Sequence, residues 1–388
     1  MSRKSHCIRI LTLTIRQELR AIALSPAVLL VLIGGVVGYG VLYNLLYEPS
    51  VVREAPIVVV DESHSHLSRT LTRLIDTTPS AEVVDVCDSA AEGEEMLQQQ
   101  RAQAMLFIPH DFASSVGRGE RSVFLSLSTT SSFLYYEATA EAVAEAALAL
   151  GEEIRLGQMW NLTEEERLAL ANRQSVTPQG IALFNSSKSY ADYLIPVVLI
   201  LILFQTMVMV ISMVAGGRRG RGVSLLRGEP YNAPLRGLIV LGRSTIYVGI
   251  YALLALFLVG FIPRIFSLPH LAPTLDMVTL LVPFLLATSL FGQAFGRLFR
   301  DSDSPILYIT VFSVGLIFVS GISFPFELIP RPWHLAYYLL PAPSAISAFV
   351  GINSLGASPT EVAPHLTTLW LQALAYFLLA SLPKRGFR

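Results

Sequence analysis

The residues of this chain that could do chemistry are few and scattered. Asp61, His64 and His66 form a D-x-x-H-x-H run, and imidazole and carboxylate ligands this close together are a zinc pattern. No further ligand follows from spacing. The competing reading, which we prefer, is a strand end leading into a helix, with Asp61, Ser63 and Ser65 accepting from free backbone N–H groups. A hydrolase built on the same Ser, His and Asp residues lacks the G-x-S-x-G elbow that would present a nucleophile. Gly216 to Gly222 reads GGRRGRG, glycine-rich and basic, but without the Lys of a Walker A loop or a strand before it. It is expected to be a flexible basic loop, and the chain does not use ATP by that route. Cys7 and Cys87 show neither metal nor redox spacing. No catalytic, cofactor or metal site and no nucleic-acid-binding motif emerges, so the chain does not read as an enzyme.

The elements that would position these residues are mostly apolar. With 53% hydrophobic and 15% charged residues, the chain is more apolar than a soluble protein, where about 25% charged is usual. Six charge-free windows reach the length a bilayer core requires: 21–47, 193–217, 244–263, 277–296, 304–326 and 362–383. The first carries Tyr39, Tyr43 and Tyr47 where small residues would mark a cleavage site, so it reads as a retained anchor. Charge divides with the windows. Residues 48–190 hold 21 Asp and Glu against 10 Lys and Arg, a net of −11, and the remainder carries +10. Basic residues gather before the first window (Arg3, Lys4, Arg9, Arg16, Arg20), after the second (Arg218, Arg219, Arg221, Arg227, Arg236), after the fourth (Arg297, Arg300) and after the last (Lys384, Arg385, Arg388). This fits six spans with both termini in the cytoplasm and the acidic insert outside.

Three further segments shape the expected architecture. Residues 7–24 place Ile8, Leu11, Ile15, Leu19 and Ile22 on one helical face, suited to a helix lying in the interface with its basic face toward headgroups or a partner. Residues 332–360 lack Lys, Arg, Asp and Glu but contain Pro332, Pro341, Pro343 and Pro359, and are expected to be short helices dipping into the outer leaflet rather than a seventh span. Within the insert, 57–60, 82–87, 104–108 and 123–127 read as strands, interleaved with helices, and 132–171 as a long helix. In the spans Gln205, Gln293 and Gln372 are polar, with helix–helix hydrogen bonding the preferred role. Ionisable groups are absent from these windows until His365, which argues against a self-powered carrier.

Five segments resemble a known family in its own order. Ile15 to Arg20 (IRQELR) followed by Ser25-Pro26 resembles its interfacial elbow helix, and Val58 to Ser65 resembles the "VVDxDxS" strand-turn that opens its insert. Ala104 to Phe112 resembles its "xxxxIPxxF" segment, Tyr190 to Pro196 the start of its second span, and Ser320 to Pro330 the "SGxxFPxxxxP" turn before its re-entrant helices. The chain thereby resembles, over nearly its whole length, a permease subunit of the ABC type-2 exporters with a large insert after the first span. The resemblance implies a polytopic α-helical membrane protein: an elbow helix over 1–25, a first span over 26–47, an extracytoplasmic α/β domain over 48–190, and five more spans over 191–388 with a re-entrant segment near 327–360. It implies a bacterial inner (plasma) membrane location with the insert on the periplasmic or extracellular side. The implied partners are a cytoplasmic ABC ATPase that binds the ATP, a second permease subunit (homo- or heterodimeric), membrane lipid and, in some members, a periplasmic adaptor. ATPase coupling would fall to Arg16, Glu18, Arg20, Arg218, Arg219 and Arg221, and the re-entrant turn to Gly321, Phe324, Pro325 and Pro330. One departure stands out: the loop after the second span lacks the acidic residues of the family's R-E-R-E-x-G-T pattern, which points to a less strongly coupled half of a pair. Export is the function this implies, and the apolar pathway with its outer-leaflet segment favours a hydrophobic or amphipathic compound over an ion. The reading from a different class is an envelope scaffold whose insert binds a partner.

Overall fold

A computed structural model describes residues 3–46, 52–118, 120, 123–128, 133–159, 190–220, 233–266, 268, 270–321 and 326–383. The chain divides into two compact units, one of residues 1–48 with 182–388 and the other of residues 49–181.

The first unit is helical. Helix α1 (Arg3–Ala23) ends before Ser25-Pro26, and α2 (Pro26–Leu46) follows with its middle, Leu30–Gly38, wound as a π-helix. The other long helices are α7 (Tyr190–Gly220), α8 (Pro234–Ile265), α9 (Thr274–Leu298), α10 (Ser304–Val319) and α13 (Ala363–Ser381). Between the last two lie α11 (Arg331–Leu339) and α12 (Pro341–Ser354), bent by 85° at their junction. Residues 194–217 of α7 carry no charge and are apolar on nearly every side, and this helix is buried in the middle of the bundle, as expected for one without a polar face. Around it pack Val36 of α2, Tyr247 and Tyr251 of α8, Phe284 of α9 and Phe349 of α12, all buried.

Among the described residues four helices are long and apolar enough to cross a membrane: 26–46, 194–219, 234–265 and 274–298. They overlap the first four apolar windows. The fifth window holds α10, whose 16 residues span roughly 24 Å at 1.5 Å per residue, short of a ~30 Å core. The sixth holds α13, whose apolar run is diluted by His365, Thr367, Thr368 and Gln372. The Pro332–Thr360 stretch forms two short helices, as expected, broken at Leu340-Pro341; what differs is the part its prolines play. Pro332 is the second residue of α11 and Pro341 the first of α12, within the first turn where a missing N–H costs nothing, so they start helices. A second correction concerns Gly216 to Gly220. These residues form the last turns of α7 rather than a flexible loop, and the third helix begins well before Ser244, so Arg236 and Arg243 are helical.

The second unit is built on a four-stranded sheet of order β2-β1-β3-β4: β1 (Ala55–Asp61), β2 (Ala81–Cys87), β3 (Ala104–Ile108) and β4 (Leu125–Ser128). The first three strands are parallel and β4 is antiparallel to β3. Both faces of β1 are buried, which explains its unbroken Ile-Val-Val-Val run. Ile57 and Val59 face a core formed with α3 (His66–Asp76), α5 (Phe112–Gly117) and α6 (Phe133–Met159), to which α6 contributes Ala142, Val143, Ala146 and Leu150. Val58 and Val60 face the other core, with Met96 of α4 (Ala90–Gln98) and Met105.

Candidate functional site

The buried stripe of α1 differs from the face its apolar residues suggest. Ile10, Thr14, Glu18 and Ile22, four residues apart, face inward, while Ile8 and Leu19 are exposed. The helix thus buries a carboxylate and leaves leucine and isoleucine outside. The partners of Glu18 explain why it turns inward. Exposed apolar side chains are unpenalised in a bilayer, whereas the Glu18 carboxylate requires cations.

Two arginines and a phenol meet it. Glu18 is 1% exposed. Arg218 Nη1, near the end of α7, donates to Glu18 Oε2, and Arg243 Nε of α8 lies 3.4 Å from the same oxygen. Tyr247, one turn beyond Arg243, donates its hydroxyl to Oε1 at 2.6 Å. Burial is the largest influence on Glu18 and pushes its carboxyl up, but Arg218, Arg243 and the hydrogen bonds outweigh it and hold the pKa below the ordinary range. Gly242 of α8 packs against α1: a Cβ there would sit 2.8 Å from Leu11 Cδ1, so the leucine tip would have to shift. This cluster joins α1, α7 and α8 through a charge that cannot be left unpaired without large cost.

The other coupling candidates separate. Arg16 and Arg20 are exposed on the outer face of α1. Arg219 is exposed and donates to the backbone carbonyl of Arg297. Arg221 lies outside the described residues. Arg243 and Tyr247 were not singled out from the sequence, although a cation and a phenol four residues apart share one helix face. Their positions straddle the edge of the apolar window, which hid them.

A second polar assembly surrounds the bent α11–α12 pair. The bend exposes carbonyls with no helical partner, and α13 supplies donors. Gln372 Nε2 donates to Tyr338 O at 2.7 Å and Leu340 O at 3.1 Å, and Tyr376 donates to Leu339 O. Irregular backbone at membrane depth requires such cover. Gln293 has a different role, joining helices by donating to Ser244 Oγ at 2.8 Å and to Val240 O. From His365 Nδ1 a chain of bonds runs to Tyr337 Oη (2.8 Å), Ser347 Oγ (3.3 Å) and Ser320 O (3.2 Å). Next to Ser320, Gly321 adopts φ +82°, a conformation a side chain would strain. Pro330 precedes the first turn of α11, while Phe324 and Pro325 lie outside the described residues. Phe326 stacks on His334 with centroids 4.3 Å apart, closing the turn.

The Asp61 run is a helix start. Asp61 Oδ1 accepts from the N–H groups of Ser63 and His64, both at 3.0 Å, and Oδ2 from Ser68 Oγ at 2.7 Å. Ser65 and Ser68 form a reciprocal capping box. These bonds commit both Asp61 oxygens to the turn, and among the described residues no group of three or more potential ligands comes together. Cys7 and Cys87 are free thiols, and burial followed by the nearby Asp85 pushes the Cys87 thiol up, away from reactivity.

No curated protein and no solved structure matches the chain. A family described as ABC-2 family transporter protein matches residues 24–382, from the end of the elbow helix through the last helix. That match takes in α2, the sheet-bearing unit, the buried α7 and the bent pair in one stretch. Together with the apolar helices it bears out the resemblance read from the motifs: the chain belongs to the ABC-2 transporter family, as a multi-pass membrane permease component.

Proposed function

We propose that this chain is the permease subunit of an ATP-driven exporter, moving a hydrophobic or amphipathic compound out of the cytoplasm or the inner membrane of a bacterium. In this reading six spans place both termini in the cytoplasm and the acidic unit outside. A separate ABC ATPase binds the nucleotide, and a second permease subunit, identical or different, completes the pathway. The observation that carries the coupling is the Glu18 cluster, which ties the elbow helix to α7 and α8. A push on the exposed Arg16–Arg20 face of α1 is then transmitted to the central span through a buried ion pair rather than dissipated in the interface. The elbow helix assumes the coupling role that the loop after the second span, without its acidic residues, is poorly suited to fill.

The test is co-purification with an ABC ATPase, followed by reconstitution in liposomes carrying a fluorescent amphipathic lipid analogue. ATP-dependent movement of the analogue is expected. Glu18→Gln should reduce movement at least tenfold while the ATPase stays bound. A stable complex with extracytoplasmic proteins alone, and no bound ATPase, would overturn the reading in favour of a scaffold.

A further inference from the structure

Two guanidinium groups from two helices reach the C-terminal end of α13, and a third bonds to the backbone of one of those arginines. Arg236 Nε of α8 donates to Ser381 O at 2.9 Å. Arg297, at the end of α9, donates through Nη1 to Leu379 O at 2.6 Å and Ala380 O at 3.3 Å, and through Nη2 to Leu382 O at 3.2 Å. Arg219, at the end of α7, bonds to Arg297 O. The acceptors on α13 are carbonyls that a helix leaves unpaired at its end, so Arg236 and Arg297 close it and complement its dipole.

A carbonyl satisfies a donor but leaves the positive charge in place. The bonds of Arg219 and Arg297 go to carbonyls. Among the described residues, Glu18 is committed to its own cluster, and Asp301 accepts from the N–H groups of Asp303 and Ser304 and from Ser304 Oγ. The arginines also sit at the ends of apolar helices, the level at which a bilayer presents its headgroups. On the helices that carry them or that they cap, Leu298, Leu378 and Leu382 stand 71%, 57% and 54% exposed.

We infer that this corner binds an anionic phospholipid, its headgroup phosphate on Arg219 and Arg297 and its acyl chains along the exposed leucines. The arginine fork matches phosphate oxygens, and basic pockets between membrane helices take such headgroups. An acidic protein surface would match the charge alone; a phospholipid matches both the charge and the apolar strip. The bound phosphate would tie α7 and α9 together beside the capped end of α13, and Arg219 is thereby assigned to lipid rather than to the ATPase.

The experiment uses the full chain purified in neutral detergent, with lipid retention read by native mass spectrometry and melting followed on addition of phosphatidylglycerol, phosphatidylcholine or inorganic phosphate. Phosphatidylglycerol should be retained and raise the melting temperature; the other two should not. Arg219→Gln should weaken retention about fivefold, and Arg219→Gln with Arg297→Gln about thirtyfold. Should Arg297→Gln unfold the end of α13, Arg219→Gln alone carries the test, since Arg219 is exposed and bonds only at its edge. Equal effects of phosphatidylcholine or inorganic phosphate overturn the proposal. So does retention unchanged in Arg219→Gln, including the case in which that variant instead loses a co-purifying ATPase.

Discussion

A single buried carboxylate organises the most polar part of the helical unit, and its energetics are directly testable. Removing one partner of a buried ion pair typically costs about 3–5 kcal/mol, because the remaining charges lose compensation. Glu18→Gln should therefore lower the melting temperature of the purified protein clearly, while Arg16→Gln, on the exposed face of the same helix, should leave it nearly unchanged. A double-mutant cycle with Arg218 separates the pair from simple packing loss. The pH dependence has a definite sign. The folded pKa of Glu18 is depressed below its ordinary 4.5, so its contribution is fully present above that value and is lost as pH falls through the folded pKa. Melting curves of the wild type should lose stability below about pH 4.5, and Glu18→Gln should lack that component.

At the scale of elements, the bent α11–α12 pair and the Ser65 capping box show how the chain handles backbone that regular structure leaves unpaired. Gln372 supplies donors to two carbonyls at the bend. Gln372→Leu should cost about 1–3 kcal/mol through those orphaned groups. Faster amide exchange confined to residues 331–354 is the expected signature, and protection unchanged there would contradict the assignment. In the sheet-bearing unit, Ser65→Ala removes the cap of α3 and should cost about 1 kcal/mol. Ser68→Ala should cost more, since its hydroxyl also serves Asp61. Hydrogen exchange over residues 66–76 in the full chain reads both. Much of this element-level structure was legible beforehand. The β-branched run at 57–60, the apolar 104–108 and the Ser-rich helix start each state their conformation locally. The bend was half legible: four prolines marked it, but whether a proline starts or interrupts a helix depends on where the preceding residues go.

For the whole molecule, the charge division between residues 48–190 and the rest predicts opposite sides of the membrane. In a background with Cys7 replaced, a membrane-impermeant maleimide applied to intact cells should label cysteine at Glu62, which is exposed, and should label cysteine at Asp303 only after permeabilisation. Labelling of Asp303→Cys in intact cells would reverse the orientation. The family match over residues 24–382 takes in the motif segments that begin at Val58, Ala104, Tyr190 and Ser320, and leaves out Ile15 to Arg20 of the elbow helix.

Composition, charge distribution and local periodicity determined by themselves the membrane character and the places of most helices and strands, and the motifs in their order pointed to the family. These are properties of neighbouring residues, set by transfer of apolar side chains and by backbone preference. Only the tertiary structure decided that Glu18 turns inward to Arg218, Arg243 and Tyr247, and that Gln372 and Tyr376 cover the bend. It also decided that Arg236 and Arg297 close the last helix. Each of these joins residues far apart in the chain. The physical reason is common to all three: a buried charge or orphaned carbonyl must find a partner, and which partner is in reach depends on how the helices pack.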